Sequence, residues 1–269
     1  MEINFKDKLS IEIEGLQKVF HDGSSKIMTP VLSNVKLSVN GPSIVSIVGP
    51  NGVGKTTFLR LIAGVIEPDE GSILINGIPS VKCRVGYVPQ SNPVFPWRRV
   101  DDDITIPLEI LGVPLNKRRS EAAKIVEQFS LDIPLNKRSY CLSGGQRQMV
   151  NICRALVGDD PPKILLLDEP FSSLYFVTKE AFLEQLQKIH DKMKLIVLLT
   201  THQLDFAILF SDIIVPFSTR PVSFTDNDII NVPFARPRSN ETKKYSEYKT
   251  ILGKIENVFN KKKILENIQ

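Results

Sequence analysis

Gly49-Pro50-Asn51-Gly52-Val53-Gly54-Lys55-Thr56 stands between the unbroken apolar run Ser43–Val48 and a segment, 56–63, whose Phe58, Leu59, Leu61 and Ile62 precede Gly64. Such a run predicts a strand buried on both faces, and the segment after the loop predicts a helix that Gly64 stops. Strand, glycine-rich turn, helix is the setting in which backbone amides approach a phosphate and a helix N-terminus adds partial positive charge. In that setting Lys55 reaches the β- and γ-phosphates, Thr56 holds Mg²⁺ and Thr57 bonds the α-phosphate. The four fixed positions arise by chance in roughly one chain in a hundred of this length, and the flanking elements lower that further. The stretch therefore predicts a nucleotide phosphate loop and not a casual turn.

Outward from the loop, the chain alternates strands and helices. Ile11 and Ile13, then Val35, Leu37 and Val39, alternate with polar residues as half-buried strands do. Pro68-Asp69-Glu70-Gly71 predicts a turn, 72–75 a strand, and Asn76-Gly77 a hairpin. A short strand follows over 85–88. From Asp101 to about Arg138 the character becomes helical, with Ile125, Val126 and Phe129 on one face and Pro107, Pro114 and Pro134 as punctuation. A helix over 143–156, the buried strand Ile164–Leu167, a helix marked by Phe182, Leu183, Leu186 and Ile189, and strands over 195–199 and 213–215 complete the pattern. The expectation is an α/β fold: a mostly parallel sheet flanked by helices, with an antiparallel β subdomain and a helical insertion.

Composition bounds the function classes. Thirty-four basic against thirty acidic residues leave a formal charge of +4, too mild to predict nucleic-acid binding. Much of it collects late, in Arg236, Arg238, Lys243, Lys244 and 261–263, which predicts a solvated, partly frayed tail. Three cysteines, Cys83, Cys141 and Cys153, form no CxxC pair, and His21, His190 and His202 form no metal-ligand spacing. A reduced intracellular protein is expected. The N-terminus lacks an apolar signal core, and no apolar run approaches the length of a membrane span, so any work at a membrane is expected to go through partners.

Two further motifs carry chemistry. Ile164-Leu165-Leu166-Leu167-Asp168-Glu169 is an apolar strand ending in two acids, and buried strands rarely end so unless a cation waits there. Asp168 suits an outer ligand of Mg²⁺; Glu169, pointing elsewhere, suits polarisation of an attacking water. Alone, this is also how a strand turns into solvent; behind a phosphate loop it points to hydrolysis. Leu142-Ser143-Gly144-Gly145-Gln146 contains a capping-box pattern, Ser143 with Gln146 three residues on. An ordinary helix start would explain that much. The whole pentapeptide, however, is expected by chance in only about one chain in several thousand.

With that pentapeptide between the phosphate loop and the acid strand, the chain resembles the ABC ATPases over nearly its whole length, from about Leu9 to Phe217. The resemblance implies a P-loop NTPase of ABC type, ATP and Mg²⁺ as cofactors, and a head-to-tail homodimer or a pair with a similar ATPase subunit. In such a dimer Ser143, Gly144, Gly145 and Gln146 of one copy complete the site of the other. It further implies that Gln90 joins Mg²⁺ and water to the helical subdomain, that His202 contacts the γ-phosphate, and that Phe20 stacks on adenine. Phe20 reads nearly as well as a packing residue. The binding stretch would then comprise Phe20, Gly49, Pro50, Asn51, Gly52, Val53, Gly54, Lys55, Thr56 and Thr57. The catalytic groups would be Glu169, His202, Lys55 and Gln90, with Thr56, Gln90 and Asp168 on the metal.

The chain departs from the family pattern after the acid pair, where Ser172-Ser173-Leu174-Tyr175 stands for the usual Ser-Ala-Leu-Asp, and after His202, where Asp205-Phe206 stands for Glu-Ala. The acid replaced by Tyr175 couples the two sites of the family dimer, so reduced or asymmetric turnover is expected. The segment Asn92-Pro93-Val94-Phe95-Pro96-Trp97-Arg98-Arg99-Val100 holds the only tryptophan and resembles importers of the nitrate, sulfonate, taurine and pyrimidine-precursor group. Thr219-Arg220-Pro221 and Phe234-Ala235-Arg236-Pro237-Arg238 look like that group's arginine–proline segments. The resemblance implies a motor subunit at the inner face of the cell membrane. Integral permease subunits would contact the region near Trp97, and a solute-binding protein would act indirectly, with no nucleic acid. A core aromatic is the other reading of Trp97, and a soluble non-transport ABC ATPase or an exporter motor the other readings of the chain. The expected domains are an ABC ATPase domain over 1–217, with a helical subdomain at about 98–155, and a C-terminal extension over 218–269.

Overall fold

The computed structural model describes residues 9–21, 28–91, 94–172, 174, 176–236, 238 and 240–266. Tyr175, Asn92, Pro93 and Pro237 lie outside them, so the expectation at Tyr175 is not addressed by this structure. The chain divides into two compact units, one of residues 1–84 with 196–269 and one of residues 85–195.

The first unit opens with β1 (Ser10–His21) and β2 (Met28–Asn40), paired antiparallel. Ile11, Ile13 and Leu16 pair with Val39, Leu37 and Val35, and all six side chains are buried. The alternation in the sequence thus becomes one apolar face. Then come β3 (Ser43–Val48), α1 (Lys55–Ile62), β4 (Glu70–Ile75) and β5 (Ile78–Pro79). The β4–β5 turn is Asn76-Gly77 with φ of 52° and 77°, the left-handed pair that a two-residue hairpin demands. An antiparallel sheet forms in the order β2-β1-β4-β5.

The second unit holds β6 (Gly86–Val88), α2 (Val100–Ile104), α3 (Ile106–Ile110), α4 (Leu115–Gln128), α5 (Gly144–Leu156), β7 (Ile164–Leu167) and α6 (Phe176–Met193). The stretch expected to be helical throughout is broken into three. Pro107 sits in the first turn of α3, where its missing N–H costs nothing, and Gly112 with φ 74° ends that helix. Strands β6 and β7 pair parallel, Val88 opposite Leu167.

The chain then re-enters the first unit with β8 (Ile196–Thr201), α7 (Leu204–Phe210), β9 (Ile213–Pro216), β10 (Ile230–Asn231) and α8 (Ser246–Glu266). Here β3 lies between β8 and β9, parallel to both, and β10 joins β9 antiparallel. Every residue of β3 and β8 is buried, as expected of strands covered on both faces. Phe58 of α1 packs on Phe217 and Phe224 with ring centroids 5.4 and 6.2 Å away.

The tail differs from the solvated one expected. Tyr248, Ile251 and Ile255 of α8 are buried against Ala207, Ile208, Ile214 and Val48, and Arg238 is held within the fold by carbonyl oxygens and Asp212. Among the described residues no helix is long and apolar enough to cross a membrane.

Candidate functional site

The phosphate loop joins β3 to α1 in the first unit. Its geometry is imposed by two glycines. A Cβ on Gly49 would lie 2.2 Å from the carbonyl oxygen of Phe217, so only glycine lets the loop leave β3 alongside β9. Gly54, the residue before α1, has φ 123°, and a Cβ there would meet Val31 Cγ1 at 2.7 Å. Lys55 is buried, and its Nζ donates to the carbonyl oxygens of Gly49 at 2.8 Å and Pro50 at 3.1 Å. The ammonium therefore sits inside the turn. Thr56 and Thr57 are half-buried in the first turn of α1, while Pro50, Asn51 and Gly52 are exposed and Val53 is buried. A helix start, an ammonium and two hydroxyls form a donor set suited to a polyphosphate.

The same unit brings the end of β8 to the loop, since the Gly49 amide donates to the Thr201 carbonyl at 3.3 Å. His202 follows directly and is exposed. Gln203 then starts α7, its amide donating to Thr201 Oγ1 at 3.1 Å. Phe20 ends β1 with 42% of its surface exposed and the Lys18 ammonium 5.7 Å from its ring centroid. Its ring is partly open to solvent and partly covered.

In the second unit the acid pair and Gln90 emerge from the same end of two paired parallel strands. The Asp168 amide donates to the Val88 carbonyl at 2.9 Å, and Gln90 lies two residues beyond Val88. Asp168 and Glu169 are both buried. Glu169 takes φ 48°, a left-handed conformation that costs a non-glycine residue about 1–3 kcal/mol and clusters at functional sites. The turn beyond it is closed by the Ser172 amide and hydroxyl, which donate to the Glu169 carbonyl at 3.1 and 3.0 Å. Within this unit the Gln90 amide oxygen and the Asp168 carboxylate are hard oxygen donors of the kind Mg²⁺ takes.

Ser143 caps α5 as a complete capping box. The Gln146 amide donates to Ser143 Oγ at 3.2 Å, and the Ser143 amide to Gln146 Oε1 at 3.0 Å. Gln146 also donates from Nε2 to the Asp132 carbonyl at 2.9 Å, which ties the helix start to the preceding loop. Ser143 itself is exposed, with Gly144 and Gly145 half-buried behind it.

Trp97 is 65% exposed, so the core reading of it is overturned; it pairs with Phe95 at 5.5 Å between centroids. Beneath them lies a residue that sequence reasoning missed. Asp103 is fully buried and accepts from the Phe95 amide at 2.9 Å, the Ser139 hydroxyl at 3.0 Å and the Arg154 guanidinium. Of the triplet Asp101-Asp102-Asp103, both Asp101 and Asp103 are buried, and Asp103 alone is held by the Phe95 loop, Ser139 and Arg154.

The family model described as ABC transporter matches residues 32–172. The chain belongs to the ABC transporter family of ATP-binding cassettes and is an ATPase of that class. The uncharacterized ABC transporter ATP-binding protein MJ0412 of Methanocaldococcus jannaschii is 34% identical over 244 residues, 90% of this chain and 89% of its own. The taurine import ATP-binding protein TauB of Pseudomonas putida is 35% identical over 195 residues, 72% of this chain and 74% of its own. The ATP-binding cassette MJ0796, solved as a dimer in a post-hydrolysis state bound to ADP and Pi, shares the fold with a TM-score of 0.68 at 24% identity, over 84% of this chain and all of its own.

Proposed function

We propose that this chain is the ATP-hydrolysing subunit of an importer, driving uptake of a small solute of the nitrate, sulfonate, taurine or pyrimidine-precursor kind through a separate membrane permease. The observation that carries the importer reading is the exposed Phe95–Trp97 pair, an apolar surface suited to a permease and joined through Asp103 to the helix that Ser143 caps. The taurine importer relative supports it. Two copies act together at the inner face of the cell membrane, with residues 1–217 as the ATPase domain and 218–269 as its extension.

The division of labour follows from the chemistry of each group. Backbone amides of residues 50–55 and the Lys55 ammonium bind the phosphates, with Thr57 on the α-phosphate and Phe20 under the adenine. Thr56, Gln90 and Asp168 would hold Mg²⁺, which supplies charge neutralisation on the phosphate oxygens. Glu169 orients water for in-line attack on the γ-phosphoryl group, and Lys55 and His202 stabilise the charge that develops there. Ser143 and Gly145 of the second copy complete the γ-phosphate contacts from their helix start. The chemistry is mostly positioning and electrostatics, which is why backbone geometry at Gly49, Gly54 and Glu169 matters as much as side-chain identity.

The test is ATPase rate against protein concentration, with Glu169→Gln alongside. A rate rising more steeply than first order, and a variant that binds ATP, hydrolyses it slowly and sediments as a dimer, is the expected result. Near-normal turnover in Glu169→Gln would remove Glu169 from its role, and a strictly first-order rate would remove the dimer.

A further inference from the structure

α7 has only seven residues, too few to be stable alone, so its position is set by what holds it. His202 is the single residue between the end of β8 and the cap of α7, so its backbone follows the first turn of that helix. That turn carries Asp205. Two residues of the C-terminal extension grip Asp205: Lys243 Nζ donates to Oδ2 at 2.7 Å, and the Tyr248 hydroxyl donates to Oδ1. The other end of α7 is gripped as well. Arg238 Nη1 donates to the carbonyl oxygens of Ile208, at 3.1 Å, and Ser211, where a cation also suits the helix dipole. Arg236 Nη2 donates to Asp212 Oδ2 at 3.0 Å, and that oxygen also accepts from the Ile44 amide on β3 at 2.9 Å. Between the two polar grips, Ala207 and Ile208 pack on Tyr248, Ile251 and Ile255.

We propose that the C-terminal extension is a positioning element for His202, acting on α7 through Asp205. Lys243, Tyr248 and Asp205 are positioning residues; none of them touches the substrate. The extension holds the first turn of α7 so that the imidazole is presented in one orientation, and loosening the grip slows hydrolysis without weakening nucleotide binding. A buried guanidinium is a costly way to dock a tail, and here it is spent on the carbonyl end of this one short helix. The proposal rests on the assignment of His202 to the γ-phosphate.

The experiment uses the full chain carrying Tyr248→Phe with Lys243→Met, which keeps the ring and the aliphatic stem and removes only the groups on Asp205. Amide hydrogen exchange over 203–207 is read first, because it needs no turnover. It should rise about tenfold, mainly from loss of the Tyr248 hydroxyl's hydrogen bond to a charged group, with the exposed Lys243 pair adding less, while α1 is unchanged. Single-turnover hydrolysis should fall by a similar factor of about ten at unchanged ATP affinity, and fall no further when the two changes are added to His202→Ala. Tyr248→Phe and Lys243→Met made singly should each raise the exchange by less than the pair does. Unchanged exchange over 203–207, or a rate loss of the same size in the His202→Ala background, overturns the proposal. His202→Ala hydrolysing at the wild-type rate removes the assignment beneath it, and the proposal with it.

Discussion

Arg154 holds Asp103 twice, its Nε donating to the backbone carbonyl at 3.0 Å and its Nη2 to the carboxylate. The other carboxylate oxygen takes the Phe95 amide and the Ser139 hydroxyl, so one buried acid joins the loop before Trp97, the segment before Ser143 and the helix that Ser143 caps. Burial pushes the Asp103 carboxyl up from its ordinary range, with Arg154 and the hydrogen bonds opposing it, and burial also pushes the Arg154 guanidinium down.

Asp103→Asn leaves Arg154 facing a neutral amide in the interior. Breaking a buried pair from one side costs about 3–5 kcal/mol, and urea unfolding should show a loss in that range. A loss well under 1 kcal/mol would mean that Arg154 escapes to solvent once its partner is gone.

Gly49→Ala and Gly52→Ala separate contact from conformation. The first adds a methyl 2.2 Å from the Phe217 carbonyl oxygen, and should cost about 2–3 kcal/mol by forcing β9 away from β3. The second meets nothing within 4 Å but must hold φ 80°, and should cost only about 1 kcal/mol. Thermal unfolding of the two variants checks the order, and equal shifts would contradict it.

Lys55→Met removes the ammonium that lies inside the phosphate loop. Hydrogen bonds to charged groups are worth about 1.5–3 kcal/mol, so ATP affinity measured by calorimetry should drop by about 10- to 100-fold. Unchanged affinity would take Lys55 out of phosphate binding.

The grip on Asp205 predicts a pH dependence with a definite sign. The hydrogen bond from Lys243, then that from Tyr248, hold the Asp205 carboxyl below its ordinary range. A lowered native value means that the stabilisation is present above the unfolded value, about 4, and is lost as pH falls through the native one. Exchange over 203–207, corrected for its intrinsic pH dependence, should therefore accelerate as pH drops below about 4. Asp205→Asn should flatten that profile; an unchanged profile would exclude Asp205 as its source.

Much of this fold is written locally. The apolar run before Gly49, the Asn76-Gly77 turn and the Ser143–Gln146 capping box each name their own conformation, and each is found where expected. Resemblance to a family carried the rest of the site, because Gln90 and His202 are single polar residues at strand ends with no pattern of their own.

What escaped the sequence was decided by distant partners. Arg236, Arg238 and Lys243 look like solvated charge until Asp212 and Asp205 are brought to them from α7 and its end. A signal for α8 was present, since Tyr248, Ile251, Leu252, Ile255 and Phe259 recur at helical spacing. The lysines that follow it masked that periodicity. The strained φ at Glu169 left no trace, because the acid pair there names a chemistry and not a backbone conformation.

Trp97, as the only indole in the chain and open to water, makes the protein its own fluorophore. The other emitters, tyrosine and phenylalanine, absorb at shorter wavelength, so excitation at the red edge of the absorption band isolates this one position without labelling. Covering the ring would move its emission to the blue, and a change at the Ser143 helix relayed through Asp103 and Phe95 would alter its quenching by its neighbours. A partner that covers the ring and a change at the Ser143 helix would then leave different optical signatures on the same residue.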